Sequence, residues 1–416
     1  MKNNELYDVV VIGGGASGMM TAGRAGEVGK KVLLLEKNKG LGKKLLITGG
    51  GRCNLTNNKL NIRNLVAKYK GNNKFLFSCF TQFGVQEALD FFNNRGVSTK
   101  LEAEDRVFPA SNLAKTVWDC LVLYLNQKNI TVKTGVAVSG LSVDAGTKYF
   151  KVDLQNGGQV SAKACVVASG GTSRPETGST GEGFLWLKKL GHKVIENNFA
   201  LVPVALKNLW AKKLSGVTLK DIKLTIYQDG KKQYPGILGK LLFTHFGISG
   251  PTVLNMSKSI GELLLYGEVV VVLDLFPKVD GVVLKEQFQT LLITQSNKKL
   301  KNVLSHFIPS ALVSPVLEIS GINGEIANHS LNRQDRIKLV TLFKSVPLNV
   351  KELLGADKAV VSSGGVDPKE VNFKTMESLL VPNLFLVGDI LNIDRPSGGY
   401  SLQLCWSTGF VAGTKA

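Results

Sequence analysis

The chain has 416 residues, of which 44% are hydrophobic, and its 51 basic residues exceed its 32 acidic residues to give a net charge of +19. This length predicts two or three domains with enough apolar residues to form their cores. No apolar run approaches the roughly 20 residues that a membrane-spanning helix needs, and the five cysteines are scattered without a Cys-x-x-Cys pair. The composition therefore argues against a membrane span, a disulfide-stabilised secreted domain and a metal site, and it favours the reducing cytoplasm.

The first predicted elements are a strand, a tight turn and a helix. An apolar run over residues 9–12 leads into Gly13-x-Gly15-x-x-Gly18, and small residues at helical spacing follow. Gly13 permits the turn, Gly15 lets a pyrophosphate approach the backbone, and Gly18 lets the helix pack closely on the strand. Because the N-terminus of the helix presents N–H groups to the phosphates, this pattern predicts a dinucleotide site.

The second predicted strand, residues 31–36, ends in an acid. Glu36 lies 18 residues after Gly18, near the spacing expected for a carboxylate that accepts a hydrogen bond from a ribose 2′-hydroxyl. The carboxylate would repel a phosphate at that hydroxyl, so the pattern indicates FAD or NAD and not NADP. The first strand begins near Tyr7, so removal of a signal peptide would destroy the site, and none is expected.

The segment from Lys30 to Lys100 carries 14 basic residues, Lys70 among them, against three acidic residues. One interpretation is the solvated surface of a lysine-rich protein. The other is a surface that binds a polyanion. Composition leaves both interpretations open.

The elements that follow are typical of flavoproteins. Helices are predicted over residues 83–98 and 111–127, and short strands over residues 130–168 end in Ser169-Gly170-Gly171. This order describes half of a Rossmann fold that is interrupted by a small β-meander before another core strand. It fits flavoproteins better than simple dehydrogenases.

The second half of the chain predicts an insert. Apolar–polar alternation indicates strands from about Phe199 to Asp274, helical patterns fill residues 281–346, and the nucleotide fold resumes near Ala359. The predicted parts are a first FAD-binding part (1–198), a β-rich, barrel-like domain (199–280), a helical domain (281–350) and a C-terminal FAD-binding part (351–416). There is no second Gly-x-Gly-x-x-Gly, so a nicotinamide donor would bind only transiently.

A second cofactor signal lies near the C-terminus. Gly388-Asp389 ends an apolar strand, where the carboxylate can accept a hydrogen bond from a ribityl hydroxyl. Downstream, Gly398-Gly399 and Tyr400-Ser401 open a predicted helix. Its N-terminus can stabilise negative charge on a reduced flavin ring.

Two irregular segments carry candidate catalytic residues. Gly49-Gly50-Gly51 precedes Arg52 and Cys53, and such a run suits a backbone wrapped against a planar or anionic ligand. Cys53 is a candidate acid or nucleophile, or else a small packing residue. His245 lies between glycines and aromatic residues in an irregular loop, where it is either structural or part of an active site.

These segments together resemble one family, the BaiN/RdsA-type NAD(P)/FAD-dependent oxidoreductases, also called aminoacetone-oxidase-family FAD-binding enzymes. The similarity spans essentially the whole chain, and the segments Gly49–Asn54 and Phe243–Pro251 are its specific parts. The resemblance implies an α/β protein with a glutathione-reductase-like FAD-binding Rossmann fold and an inserted β-barrel plus helical domain. The chain departs from the family at Asp389, where Glu is common, at Ser401, where Asn is common, and at Leu404-Cys405, where Trp-Ala is common.

The motifs and the resemblance together define the candidate site. The candidate cofactor contacts are Gly13, Gly15, Ala16, Ser17, Gly18, Glu36, Lys37, Arg52, Cys53, Val136, Gly170, Gly388, Asp389, Gly399, Tyr400 and Ser401. Family members are associated with saturation of an activated C=C bond, in a ribosomal RNA uracil or a bile-acid enone, or with amine oxidation. Saturation needs a hydride at the β-carbon, a proton at the α-carbon and hydrogen-bond donors at the carbonyl oxygen. Arg52 and His245 are the candidate donors, and Cys53, His245 or Tyr400 would supply the proton.

The sequence therefore predicts an FAD-dependent reductase that takes electrons from NAD(P)H, with a uracil of large-subunit ribosomal RNA as the leading substrate. The basic Lys30–Lys100 segment favours RNA, since phosphate contacts dominate non-specific affinity. One alternative is a small-molecule flavin oxidase or enone reductase with an incidentally basic surface. Another is a non-catalytic FAD-containing protein that binds RNA or assists assembly.

Overall fold

A computed structural model describes residues 5–69, 71, 73–355, 357–359 and 361–416. Lys70 of the basic segment lies outside the described residues. The chain forms two compact units, one within Met1–Phe199 and Ala356–Ala416 and the other within Ala200–Gly355. The finer division into four parts stays a prediction.

In chain order, the strands of the described residues are β1 (Leu6–Ile12), β2 (Val32–Glu36), β3 (Thr56–Asn57), β4 (Thr99–Glu102), β5 (Arg106–Pro109), β6 (Ile130–Thr134), β7 (Val138–Val143), β8 (Phe150–Leu154), β9 (Gln159–Val167), β10 (Val194–Ala200), β11 (Val204–Leu206), β12 (Thr218–Gln228), β13 (Lys231–Lys232), β14 (Ile237–Thr244), β15 (Gly247–Ser249), β16 (Val269–Asp274), β17 (Val346–Leu353), β18 (Val361–Val366), β19 (Val371–Asn372), β20 (Glu377–Ser378) and β21 (Leu384–Leu386).

The helices of the same residues are α1 (Ala16–Glu27), α2 (Lys43–Ile47), α3 (Ile62–Val66), α4 (Asn73–Gln82), α5 (Val85–Asn93), α6 (Ala114–Tyr124), α7 (Glu182–Lys189), α8 (Leu209–Lys213), α9 (Pro251–Leu264), α10 (Gly281–Thr294), α11 (Leu300–Phe307), α12 (Val313–Ser320), α13 (Arg333–Lys344) and α14 (Tyr400–Lys415). None of the helices in the described part of the chain combines the length and the hydropathy that a membrane crossing requires.

The first unit is built on a parallel sheet. Its central strands run in the order β6–β2–β1–β9–β21, all parallel, and the β7–β8 meander joins the sheet along β9. Every residue of β2 is buried, as expected for a parallel strand that is covered on both faces. The chain leaves β1 toward β2 on one side while β9 lies on the other, which is the topological switch point where ligands bind in such folds. The predicted Rossmann architecture is confirmed.

Two helices occupy a segment for which the sequence predicted no element. These helices are α3 and α4, and the buried residues Leu76, Cys79, Phe80 and Phe83 follow one face at helical spacing. Flanking lysines and asparagines mask this apolar face in the sequence.

The second unit contains a closed ring of antiparallel strands. The order is β12–β14–β15–β11–β17–β16, and β16 pairs back with β12 from Lys223↔Asp274 to Gln228↔Val269. Helices α10–α13 share one hydrophobic core with this ring. The predicted β-barrel with added helices is confirmed. Residues 346–350, which the sequence placed in the helical domain, begin strand β17 of the ring.

Helix α14 is the element that brings the C-terminal segment to the nucleotide fold. A Cβ at Gly409 would lie 2.7 Å from the Ser17 carbonyl oxygen, and one at Gly413 would lie 2.5 Å from the Thr21 carbonyl oxygen. Only glycine therefore allows α14 to pack this closely on α1.

A buried polar network fixes the N-terminal half of α14. Gln403 is fully buried, and it accepts a hydrogen bond from Thr56 Oγ1 (2.6 Å) and donates to the Gly84 carbonyl (2.9 Å) and Ser407 Oγ (2.9 Å). Trp406 Nε1 donates to the Leu55 carbonyl (2.9 Å). These bonds tie α14 to the segment that follows the glycine run.

Replacement of Gln403 by Leu keeps the packing volume but leaves the Thr56 hydroxyl without its acceptor, whereas the Gly84 carbonyl keeps the Ala88 backbone N–H (3.1 Å). We expect the free energy of unfolding to fall by about 1–3 kcal/mol, which is the cost of one buried polar group left unpaired. Urea unfolding followed by circular dichroism measures this change. The matched control is Gln86→Leu at an exposed glutamine, for which we expect a change within about 0.5 kcal/mol. Equal stability of the two variants would contradict the role of the network.

Candidate functional site

A cleft lies at the carboxyl ends of the parallel strands in the first unit. Its volume is about 1130 Å³ when its open mouth is included. It brings together predicted residues from five strand ends and from α14, because parallel strands deliver their carboxyl ends to one edge of the sheet. The predicted residues that line it are Gly13, Gly15, Ala16, Ser17, Glu36, Lys37, Val136, Gly170, Asp389 and Ser401.

The turn after β1 has the geometry that its three glycines predict. Gly13 has φ +107°, and a Cβ there would lie 2.5 Å from the Ala168 carbonyl oxygen. A Cβ at Gly18 would overlap the Gly13 carbonyl oxygen, so this glycine lets α1 pack against the turn. At Gly15, in contrast, no described atom lies within 4 Å of the Cβ position. The backbone at Gly15 therefore faces open space that a ligand can enter.

The N-terminus of α1 points to an anionic ligand. Gly15 is its N-cap, no side chain of the described residues caps it, and its first turn holds no acid. Nearby, Ser169 Oγ lines the cleft and is buried, and it has no hydrogen-bond partner among the described residues. An uncapped helix end and an unpartnered hydroxyl in one cleft fit the phosphates and hydroxyls of a dinucleotide.

Glu36 is held in place by the protein itself. Its Oε2 accepts a hydrogen bond from the Gly14 backbone N–H (2.8 Å), and its Oε1 accepts from the Asn38 backbone N–H (2.8 Å) and from Asn38 Nδ2 (2.7 Å). A carboxylate has about four acceptor positions. One position is therefore left for a ribose hydroxyl.

Two lysines of the cleft join distant parts of the chain. Lys37 Nζ donates to Thr180 Oγ1 (2.6 Å), just before α7, and to Glu182 Oε2 (2.8 Å), the first residue of α7. Lys44 Nζ donates to Ser173 Oγ (2.6 Å) and lies 3.5 Å from Asp389 Oδ2. Both cations line the cleft.

Asp389 lies in a buried ionic cluster. Arg395 pairs with Asp389 through Nη2, donates to Ser401 Oγ (3.0 Å) through Nε, and donates to the Ile393 carbonyl (2.7 Å) through Nη1. Burial alone would raise the pKa of the Asp389 carboxyl, but the Arg395 and Lys44 cations outweigh it and hold that pKa below its ordinary value. Asp389 therefore stays ionised at neutral pH.

Gly388 and Gly399 do not line the cleft, but they shape its border. Gly388 has φ +68°, and a Cβ there would lie 2.6 Å from Ser17 Oγ. Gly399 has φ +99° and is the N-cap of α14, and a Cβ there would overlap the Thr56 carbonyl group. Both glycines therefore permit close approaches that set the position of Asp389 and of the N-terminus of α14.

Three of the proposed catalytic residues lie in the first unit, and none of them lines the cleft. Arg52 pairs with Glu102, donates to Asn112 Oδ1 (2.7 Å) and stacks over Phe108. Cys53 is fully buried, and burial raises its pKa to about 12. Tyr400 is 5% exposed, and burial likewise raises its pKa to about 12.

His245 lies in the second unit, in the turn between β14 and β15. Its side chain is exposed, and its ring meets the Phe246 ring edge-on with the centroids 4.8 Å apart. The neighbouring Thr244 Oγ1 is buried and has no hydrogen-bond partner within the part of the chain that the structure describes. An exposed imidazole at a hairpin tip is available to a ligand.

The cleft also contains residues that the sequence analysis did not assign. Among them are Asn38, Lys44 and Ser169, and Arg395 contacts the lining residues Asp389 and Ser401. A buried arginine six residues after Asp389, in a loop between two glycine signals, is the one sequence feature that could have indicated the ionic cluster. The other three are ordinary polar residues in loops, and only the fold shows that they meet.

The basic segment from Lys30 to Lys100 is half neutralised in the fold. Seven of its cations pair with carboxylates that all lie outside the segment. The pairs are Lys31–Glu5, Lys37–Glu182, Lys44–Asp389, Arg52–Glu102, Lys59–Asp105, Arg95–Glu27 and Lys100–Glu102. The local charge excess in the sequence therefore does not translate directly into an exposed basic surface.

Comparison with known proteins agrees with this architecture. A family model described as the HI0933-like protein Rossmann domain matches residues 7–415. The chain is 31% identical to the 3-dehydro-bile acid delta(4,6)-reductase of Clostridium scindens, covering 98% of each chain. It is 30% identical to the ribosomal RNA dihydrouridine synthase of Escherichia coli K12, covering 98% of this chain and 97% of that one.

A solved structure shares the fold. The 3-ketosteroid-delta4-(5alpha)-dehydrogenase of Rhodococcus jostii RHA1 superimposes with a TM-score of 0.54 at 14% identity, covering 100% of this chain and 97% of that one. At this identity the likeness concerns the fold alone.

Substitution of Glu36 tests whether the cleft binds FAD. We expect Glu36→Gln to raise the Kd for FAD by about 10–100-fold, which corresponds to about 1.4–2.7 kcal/mol, because an amide brings donors toward the Gly14 and Asn38 N–H groups. The ratio of flavin to protein absorbance after purification, and titration of the apoprotein with FAD, measure the loss. The control is Glu262→Gln at an exposed position on α9. Full flavin occupancy in Glu36→Gln would remove the assigned role.

The lowered pKa of Asp389 predicts that the free energy of unfolding depends on pH. Its pKa is lowered in the fold, so its ionised form stabilises the protein above the unfolded-state pKa of about 3.9, and this contribution is lost as the pH falls through the folded-state pKa. We therefore expect the unfolding free energy of the wild type to exceed that of Asp389→Asn by a constant amount above about pH 5. Below about pH 4 the difference should shrink.

Urea unfolding of the apoprotein at a series of pH values measures this difference. The control, Asp119→Asn in the exposed Lys115–Asp119 pair, should change the stability by less than about 0.5 kcal/mol. A wild-type advantage over Asp389→Asn that stays the same from about pH 6 to pH 3 would show that the ionic cluster does not favour the carboxylate.

Proposed function

The chain belongs to the HI0933-like family of FAD-dependent oxidoreductases, and from that premise we propose that it reduces an activated carbon–carbon double bond, with a uracil of large-subunit ribosomal RNA as the leading substrate. The proposed reaction type rests on one observation. The chain is similar over nearly its full length to two relatives whose names both describe the saturation of a carbon–carbon double bond. Dihydrouridine is uridine with its 5,6 double bond saturated, and a delta(4,6)-reductase of a 3-oxo bile acid saturates a conjugated double bond. In both cases the bond is polarised by a carbonyl group.

The net charge of +19 favours RNA over a bile acid. A protein that binds an RNA substrate gains most of its non-specific affinity from phosphate contacts, whereas a single small carboxylate needs no such excess. The identity of 31% to the bile-acid reductase supports the alternative of a small-molecule enone reductase. A non-catalytic FAD-containing protein is less well supported, because the family is one of oxidoreductases.

The residues of the cleft suit FAD, and we assign their roles as follows. Gly13, Gly15 and the N-terminus of α1 would hold the pyrophosphate, and Glu36 would accept a hydrogen bond from the adenosine ribose. Asp389 would accept one from a ribityl hydroxyl. When bound and reduced by NADH or NADPH, the flavin would supply the hydride that saturates the substrate double bond.

The ionic cluster has a positioning role in this proposal. Arg395 connects Asp389 with Ser401, so the carboxylate and the N-terminus of α14 keep a fixed separation. The uncapped N-terminus of α14 would stabilise negative charge on the cofactor ring. Arg52, which is engaged by Glu102 and Asn112, would support the glycine run and not polarise a carbonyl.

His245 is the residue we propose as proton donor. Of the three candidates, Cys53 is fully buried and Tyr400 is 5% exposed, whereas the His245 imidazole is exposed. Imidazole can donate a proton near neutral pH, and such general-acid catalysis contributes about 10²–10⁴-fold to a rate. The electron donor in this proposal is NADH or NADPH, which would bind transiently because the sequence has no second Gly-x-Gly-x-x-Gly.

The proposal is tested with large-subunit ribosomal RNA from a strain that lacks the gene. Mass spectrometry of digested RNA should show dihydrouridine in the parent strain and its loss in the deletion strain. The purified protein with NADH or NADPH should restore the modification to the deletion-strain RNA. Unchanged dihydrouridine in the deletion strain, together with turnover of a steroid-like enone, would favour the small-molecule alternative.

His245→Ala should lower the rate of dihydrouridine formation by about 10²–10⁴-fold, while reduction of the bound flavin by NADH or NADPH should stay within about 2-fold of the wild-type rate. The first reaction needs a proton donor at the substrate, and the second does not. Rapid-mixing absorbance at the flavin bands separates the two half-reactions. His306→Ala, at an exposed histidine on α11, is the control. An equal loss in both half-reactions would indicate a structural role for His245.

A further inference from the structure

A cavity between α10 and α13 of the second unit is lined by cations. It has a volume of about 640 Å³ when its open mouth is included, and its lining includes Lys285, Arg333 and Arg336 but no acidic side chain. Buried Phe288 and Val340 form an apolar floor beneath these cations. The combination of a cationic rim and an apolar floor distinguishes it from an ordinary solvated surface.

The two arginines of this cavity differ from most arginines of the chain. The sequence has nine arginines, and six of them pair with carboxylates: Arg24, Arg52, Arg95, Arg106, Arg174 and Arg395. The three that form no ion pair within the described residues are Arg63, Arg333 and Arg336. Two of these three therefore line the same small cavity.

The acids nearest in sequence do not neutralise these arginines. Asp335 lies between them along the chain, but its Oδ2 accepts a hydrogen bond from Asn332 Nδ2 (2.7 Å), and its backbone N–H donates to Asn332 Oδ1 (2.8 Å). Asp335 therefore belongs to the cap of α13. Arg333 is the first residue of that helix, where the helix dipole adds to the positive potential.

The guanidinium group is suited to one kind of ligand in particular. Its planar set of donors matches the oxygens of a phosphate, and arginine is the residue most used for phosphate and nucleic-acid recognition. Two guanidinium groups and one ammonium group surround this cavity, which is more positive charge than a ligand with a single carboxylate would need. The apolar floor can accommodate a ribose or a base.

We propose that this cavity binds the phosphodiester backbone of RNA, and this proposal rests on the proposed RNA substrate. The second unit carries 19 basic and 11 acidic residues between residues 200 and 355, so its overall charge also favours a polyanion. Lys285, Arg333 and Arg336 make the phosphate contacts. The exposed Gln289 beside them is available for a sugar or a base.

The test compares RNA binding by the FAD-loaded wild type and by Arg333→Gln/Arg336→Gln. The probe is a fluorescein-labelled oligouridylate of about 20 nucleotides, followed by fluorescence anisotropy at several salt concentrations. The Kd of the variant should be at least about 10-fold higher near 0.1 M salt. The slope of log K against log salt concentration should fall in magnitude by about 1.4, since each phosphate contact to a single strand contributes about 0.7.

Lys212→Gln/Lys213→Gln is the matched control, because it removes the same charge at the end of α8 in the same unit. Its Kd should change by less than about 3-fold, and both double variants should keep the thermal stability of the wild type. Equal weakening by the two double variants would reduce the effect to total charge and overturn the site. Equal binding of a polyglutamate probe and of RNA by the wild type would overturn the assignment to RNA.

The failure of this proposal is distinguishable from failure of the proposed function. If Arg333→Gln/Arg336→Gln binds oligouridylate as the wild type does, while the deletion strain still lacks dihydrouridine, the cavity is not the RNA site and the reaction assignment stands. If the deletion strain keeps its dihydrouridine, the reaction assignment fails whatever the variant binds. Wild-type protein that does not bind oligouridylate would overturn the cavity assignment directly.

Discussion

The contact between α1 and α14 is the interaction on which the candidate site depends. The first helix follows the glycine turn after β1, and the last helix carries Ser401 and follows Asp389, yet the two are nearly 400 residues apart in the chain. They lie together because Gly409 and Gly413 leave no side chain between α14 and the α1 backbone. The buried network around Gln403 then fixes the rotation of α14, so that its N-terminus meets the border of the cleft.

Much of this arrangement could be predicted from the sequence, because it follows from local patterns. Three glycines after a strand and an acid after the next one indicate the dinucleotide turn, and the parallel sheet then delivers Gly170, Val136 and Asp389 to the same edge without further information. Helices α10–α13 of the second unit follow from apolar spacing in the same way, whereas α9 lies in the stretch where the sequence predicted strands, so that part of the prediction was wrong. Features that depend on local periodicity or on strand order could therefore be predicted from the sequence.

Contacts between polar residues that are distant in the sequence could not be predicted from local patterns. Arg395 and Lys44 join Asp389 in one cluster because the fold brings their segments together, and nothing in the local sequence of Lys44 distinguishes it from a solvated charge. The basic segment illustrates the same limit, since its cations meet acids from outside the segment. Cys53 has the reverse property: its neighbours indicate a functional loop, while its own side chain lies in the core.

The hydrogen bonds to Glu36 have a consequence for how the protein is assembled. A carboxylate that is already clamped by the backbone at Gly14 and by Asn38 loses little freedom when a nucleotide arrives, so the entropic penalty of association is small. In the role proposed for Glu36, the contact to the adenosine ribose is therefore prepared by the chain itself. The polypeptide would not need the cofactor to place this carboxylate.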